Sequence, residues 1–157
     1  MKRVLICLVL TLPLVAGDKP PGHFYAGFGV AAPTIDIGNG YNTGVGGEGF
    51  VWRDLAVGSD VAYVFPRRSA GSGYGLWSIN PAWHFGASSR WTRVVPFVTT
   101  GYSLAFRSGV ANMINYGGGA TWWMNDRLGL RFEIRDHRTP QYENFHFVTF
   151  RTSIAFR

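Results

Sequence analysis

Residues 127–137 read Arg127-Leu-Gly-Leu-Arg-Phe-Glu-Ile-Arg-Asp-His137, and within them Arg131, Glu133 and Arg135 alternate with Leu130, Phe132 and Ile134. Successive side chains of a strand point to opposite faces, so one face of this segment is apolar and the other ionic. A helix would scatter the same six side chains around its axis. The spacing therefore predicts a strand. Two settings accept it: a soluble sheet with its apolar face on a core and its charges in water, or a membrane barrel with apolar residues toward lipid and charges inside.

The pattern repeats along the chain. Alternating segments run over roughly 22–31, 43–52, 55–66, 73–85, 93–106, 114–125, 128–138 and 144–156, separated by clusters of Gly, Pro, Asn, Asp, Ser and Arg. On one face lie Val57, Val61, Tyr63 and Phe65, then Val98, Tyr102 and Leu104, then Tyr116, Trp122 and Met124, then Val148, Phe150, Ile154 and Phe156. The opposite face carries Gly27, Gly29, Gly44, Gly46, Gly58, Gly101, Gly117 and Gly119 with a few charged residues. Glycine weakens strands and suits a water-facing surface poorly, whereas the narrow interior of an eight-stranded barrel needs small residues. The large apolar residues then face outward, where lipid rather than water is the fitting solvent. This predicts an all-β, eight-stranded antiparallel up-and-down transmembrane β-barrel, with the aromatics Tyr25, Trp52, Tyr63, Trp77, Trp83, Trp91, Tyr102, Tyr116, Trp122 and Trp123 as interfacial girdles.

The 157 residues suit one domain, and 46% hydrophobic against 15% charged content argues against disorder. Lys2 and Arg3 precede an apolar run from Val4 to Val15 and the small residues Ala16 and Gly17. This is the pattern of a signal peptide, too short for the ~20 residues of a spanning helix. Residues 1–17 are expected to be cleaved after Gly17, with Ala16 as second choice, leaving 18–157 as the barrel domain. The only cysteine, Cys7, falls in the leader, so a mature thiol, disulfide or cysteine metal site is not expected. Removing Lys2 and Arg3 leaves 13 basic and 9 acidic residues. That balance favours anionic headgroups but lacks the Lys/Arg stripe of nucleic-acid binding. The tight turns Arg53-Asp54 and Asn125-Asp126-Arg127, with a longer one at 86–92, belong to the periplasmic end. The irregular stretches near 32–42, 67–72, 107–113 and 137–143 form the outer loops.

The stretches Gly44-Val-Gly-Gly-Glu-Gly-Phe50, Asn115-Tyr-Gly-Gly-Gly-Ala120, Asp126-Arg-Leu-Gly-Leu-Arg-Phe-Glu-Ile-Arg-Asp136 and the alternating Phe145 to Phe156 resemble the small outer-membrane β-barrel families, of which the OmpA-like transmembrane domain is the best-known type. The resemblance covers essentially the whole mature chain. It implies location in a Gram-negative outer membrane and folding by the barrel-assembly machinery. Such chains commonly end in Phe or Trp, whereas here Phe156 is followed by Arg157.

On the interior face the sequence places Glu48, Asp60, Glu133, Arg131, Arg135 and Arg151, three acids and three bases. Buried charges are costly unless paired, so a balanced set in a narrow lumen predicts a structural network that plugs it. The alternative is a narrow pore in which the pairs open. Arg67, Arg68, Arg107 and Arg138 near the outer loops are candidate contacts for lipopolysaccharide phosphates.

Catalytic, cofactor-binding and metal sites are not expected. The glycine runs at 38–49 and 117–119 lack the Gly-Lys-Ser/Thr ending of a phosphate loop, and His23, His84, His137 and His146 lack close metal-ligand spacing. A lipid A deacylase-like enzyme would use a late Ser, His and Glu. Here His137 follows Glu133, with Glu143 near, but Thr139 before Pro140 stands where serine is required. A soluble lipocalin-type barrel would need the opposite assignment of faces. The reading is a non-enzymatic outer-membrane barrel, expected as a monomer, with a structural or surface-interaction role and with outer-membrane lipid as its surroundings.

Overall fold

The computed structural model describes residues 22–33, 39–87, 92–140 and 145–157. The expected leader 1–17, Trp91 and Glu143 lie outside the described residues. Eight strands, β1 (Gly22–Pro33), β2 (Gly40–Trp52), β3 (Leu55–Pro66), β4 (Tyr74–His84), β5 (Val94–Phe106), β6 (Val110–Trp123), β7 (Leu128–Arg138) and β8 (His146–Phe156), make up most of this; a single 3-10 turn covers Ala70–Ser72. Each strand pairs antiparallel with the next, and β8 pairs with β1 to close the barrel.

The closure is staggered. Gly22 pairs with Gly49, and the ladder continued through Val57, Pro81, Thr100, Tyr116, Asp136 and Val148 returns to β1 at Ala32, ten residues further along the strand. Such a shear forces the strands to tilt, typically by about 35–45°. Closure also removes both sheet edges, so no row of strand N–H and C=O groups is left to face lipid.

The alternation read from the sequence fixes the two faces. Phe24, Phe28, Val45, Val61, Val98, Ile114, Phe132, Ile134, Phe150 and Ile154 are exposed on the outside, while the charged residues of β2, β3, β7 and β8 are buried inside. This arrangement excludes the inverted, lipocalin-type assignment. Turn chemistry sits at the end that carries the first and last strand residues, hereafter the terminal end. The Asn125 side-chain oxygen accepts hydrogen bonds from the N–H groups of Arg127 and Leu128 at 2.9 and 2.8 Å. Arg53 turns the β2–β3 hairpin in the left-handed region at φ 47°, its guanidinium 5.1 Å from the Trp52 ring centroid.

Two expectations need correction. The stretch 107–113 is not irregular throughout: only residues 107–109 turn, because Val110 to Met113 pair with Phe106 to Ser103 and extend the hairpin. Tyr25 and Trp123 are not girdle residues; both are buried in the lumen. Each shares its parity with inward neighbours, and a glycine on the adjacent strand makes room for it. A Cβ on Gly46 would come within 2.7 Å of Tyr25, and one on Gly129 within 2.8 Å of Trp123.

Glycine crowding is tightest where strands meet inside. A Cβ on Gly119 would lie 1.9 Å from the Phe132 carbonyl oxygen and 2.9 Å from the Phe97 ring, whereas one on Gly71, in the β3–β4 turn, would meet nothing within 4 Å. Gly119→Ala is therefore expected to destabilise the barrel by about 1–3 kcal/mol, as overpacking does. Gly71→Ala should leave it unchanged. Urea titration of each variant in detergent, followed by tryptophan fluorescence, measures the difference.

Candidate functional site

The six charged residues expected inside converge at the middle of the lumen. β7 supplies Arg131, Glu133 and Arg135 from alternate positions, and Glu48, Asp60 and Arg151 reach them from β2, β3 and β8. Arg131 contacts Glu48 through one η nitrogen and places the other 2.9 Å from Glu133. Arg135 bridges Asp60 at 2.9 Å and Glu133 at 2.8 Å. Arg151 bridges the same two acids at 3.5 and 3.2 Å. Glu133 thus faces three guanidinium groups and Asp60 two, and all six side chains are buried. Removing two charges from water is costly, and the attraction between them offsets this only when every member is paired, as here.

Sequence reasoning did not draw three histidines into this interior. His84 Nε2 lies 2.7 Å from one oxygen of Glu48, and His23 Nε2 lies 3.4 Å from the other. Two imidazoles and a carboxylate are metal-ligand types, but the Arg131 cation contacts the same carboxylate, and no metal-binding cluster forms among the described residues. The Arg131 guanidinium also lies between aromatic rings, 3.8 Å from the Phe97 centroid and 4.7 Å from that of Tyr25. His137 stacks on Phe147 at 4.8 Å, with Nδ1 3.2 Å from the Ser103 hydroxyl. Ser103 in turn accepts a hydrogen bond from the Asn115 amide at 2.8 Å and lies 2.9 Å from Ser78. Strand parity was the available signal for all three histidines: His137 is two residues from Arg135, so both must face inward.

Apolar layers bracket the charges. Ala31, Ala62, Val64, Leu76, Met113 and Phe147 form a cluster toward the end opposite the termini, the distal end, and Tyr25, Val95, Trp123 and Ala155 form one toward the terminal end. Of the residues considered for acyl-ester hydrolysis, Glu133 is committed to arginines, His137 is buried facing the lumen, and Thr139 is buried just past the end of β7.

The four arginines proposed as surface contacts all lie at the distal end. Arg67 rests over the Tyr41 ring at 5.8 Å, and Arg68 is exposed in the β3–β4 turn. Arg107 donates to the Ser72 and Gly71 carbonyls at 2.8 and 3.5 Å, tying the β5–β6 turn to its neighbour. Arg138 is on the outer wall, its Nε donating to Asp136 at 2.9 Å.

No known protein-family model matches the chain, and no curated protein is similar to it in sequence. Solved structures do share its fold. The N-terminal β-barrel domain of Pseudomonas aeruginosa OprF matches with a TM-score of 0.66 at 14% identity, over 87% of this chain and 96% of that one. Neisserial surface protein A matches at 0.63 and 11% identity, over 87% and 97%. Ail, the attachment invasion locus protein of Yersinia pestis, matches at 0.59 and 13% identity, over 86% and 96%. At these identities the likeness is one of fold, that of an eight-stranded transmembrane barrel.

Arg131→Leu would leave Glu48 without its guanidinium partner and Glu133 with one fewer. It is expected to destabilise the folded barrel by about 3–5 kcal/mol, the usual consequence of breaking a buried pair. Unfolding in detergent against urea measures this, and an unchanged midpoint would show that the lumen does not depend on the pairing.

Proposed function

We propose that this chain is exported to the outer membrane of a Gram-negative cell and acts there as a non-enzymatic barrel with a structural or surface-interaction role. In this reading the charge network and its two apolar layers plug the lumen, and assembly proceeds through the barrel-assembly machinery to a monomer surrounded by outer-membrane lipid. The observation that carries the proposal is the outward belt: Phe24, Val45, Val98, Ile134 and Phe150 all stand about half or more exposed on the barrel wall. Soluble proteins do not present apolar surface on this scale to water. Three neighbouring folds are barrels of bacterial proteins, one of them named a surface protein and one an attachment invasion locus protein, which supports the same setting.

Surface interaction is assigned to the distal rim. Arg67, Arg68, Arg107 and Arg138 gather there above the belt and suit lipopolysaccharide phosphates through charge-assisted hydrogen bonds.

Cell fractionation followed by gel electrophoresis of the detergent extract, with and without boiling, tests the setting. The expected result is an outer-membrane band that changes mobility on boiling and, in planar bilayers, a protein that yields no conductance steps. Recovery of the protein from the periplasm without detergent would overturn the membrane assignment, and steady conductance would overturn the plug.

A further inference from the structure

The outer wall carries charge in one place. Among the described residues, Asp136 and Arg138 of β7 are the only Asp, Glu, Lys or Arg side chains that any strand points outward. They do not stand alone. Asp136 accepts hydrogen bonds from the Tyr116 hydroxyl at 2.8 Å and from Arg138 Nε at 2.9 Å, and His146 Nδ1 lies 3.0 Å from its other oxygen. On the neighbouring β5–β6 pair the Tyr102 hydroxyl donates to the Asn112 side chain.

The position of this cluster is unusual. Tyr116 is the seventh of the fourteen residues of β6, halfway along the wall, and its pair partner across the ladder is Asp136. Arg138 is the last residue of β7 and His146 the first of β8, so the polar group runs from the distal rim, where Arg138 stands, down to the Tyr116–Asp136 pair. A charge on the lipid face of a barrel is costly near the mid-plane and nearly free at headgroup depth. An Asp–Arg pair held by Tyr and His at the distal ends of β7 and β8 is shaped for a polar group at headgroup depth. Directly below, β6 presents Gly118 and Ala120 between Val98 and Pro96 of β5 and Ile134 and Phe132 of β7. Small side chains between larger ones leave room for a hydrocarbon chain to lie against the wall.

We infer that the β6–β8 wall is a binding site for the phosphate of an amphiphile, with Arg138 as its ligand. This rests on the membrane reading above and deepens the assignment of Arg138 to a surface phosphate. Asp136 holds the Nε edge of the guanidinium, and the side chain, 52% exposed against 14% for Asp136, offers its remaining donors to the phosphate. Arginine presents donors in a planar fork that suits phosphate oxygens. The acyl chain descends over Gly118 and Ala120. Asp136 is a positioning residue, and its own acidity makes the site selective for a phosphate that Arg138 can reach rather than for anions in general.

The full chain in dodecyl maltoside micelles, mixed with phosphatidylglycerol or with lipopolysaccharide and passed through gel filtration, carries bound phosphorus that can be measured per protein. Arg138→Gln is expected to lower that binding about tenfold, the loss of one charge-assisted contact. Arg127→Gln, in the exposed β6–β7 turn at the terminal end, should change it far less. The boiling-dependent mobility shift confirms that each variant is folded. Loss with both probes identifies the phosphate itself as the recognised group, and loss with lipopolysaccharide alone identifies the glycolipid. If a folded Arg138→Gln protein keeps its binding of both, the wall site is wrong. The membrane reading would then still stand or fall on fractionation.

Discussion

The constraint on which the rest depends is the width of the lumen. Eight strands enclose an interior just wide enough for side chains, so each inward position must be either very small or engaged with its neighbours. The sequence meets this with glycine where strands come closest, and it makes room for some long side chains with a facing glycine, as Gly46 does for Tyr25 and Gly129 for Trp123. The same narrowness keeps water from solvating the charges one by one, so Glu48, Asp60 and Glu133 must find Arg131, Arg135 and Arg151. The ion pairs thus follow from the barrel's size rather than adding to it.

How much could be read from the chain depended on whether a feature is local. Strand parity is local, and it placed Arg131, Glu133, Arg135, Asp60, Glu48 and Arg151 inside before any pairing was known. The pairing itself was not legible, because Glu48 meets Arg131 only through the stagger of the closed ladder, a property of all eight registers together. The β6 boundary was lost to local chemistry: Ser108, Gly109 and Asn112 read as loop, but pairing with β5 makes residues from Val110 onward strand. Trp123 was lost differently. Parity pointed it inward, and the habit of tryptophan at membrane interfaces pointed it out; in the structure parity prevails because Gly129 leaves it space.

The two ends of the barrel are built differently. At the terminal end, Arg157 lies 4.2 Å from the Trp123 centroid and donates to the Asp126 carbonyl, so the last strand is fastened to the β6–β7 turn. At the distal end, Arg107 fastens one turn to another, and Tyr63 donates to the Ala70 carbonyl at 2.7 Å. These contacts use arginine as a clamp on backbone oxygens and rings. An arginine at a membrane surface therefore cannot be counted as a free cation until its partners are known, and the four distal arginines differ in this respect.

The closing seam between β1 and β8 joins the two most distant parts of the described chain, and the charge network crosses the sequence in the same way, from Glu48 to Arg131 and from Asp60 to Arg151. No contiguous run of a few hairpins contains both partners of these pairs. A partly assembled sheet therefore carries Glu48 and Asp60 bare on its first half and an excess of positive charge on its second, where the single acid Glu133 faces Arg131, Arg135 and Arg151, and each half is repelled by the hydrocarbon it is entering. The halves neutralise each other only as the cylinder shuts. Insertion and closure are in this way made one event: the chain gains little by lying half-built in a bilayer, and the lumen's electrostatics favour completion over any open intermediate.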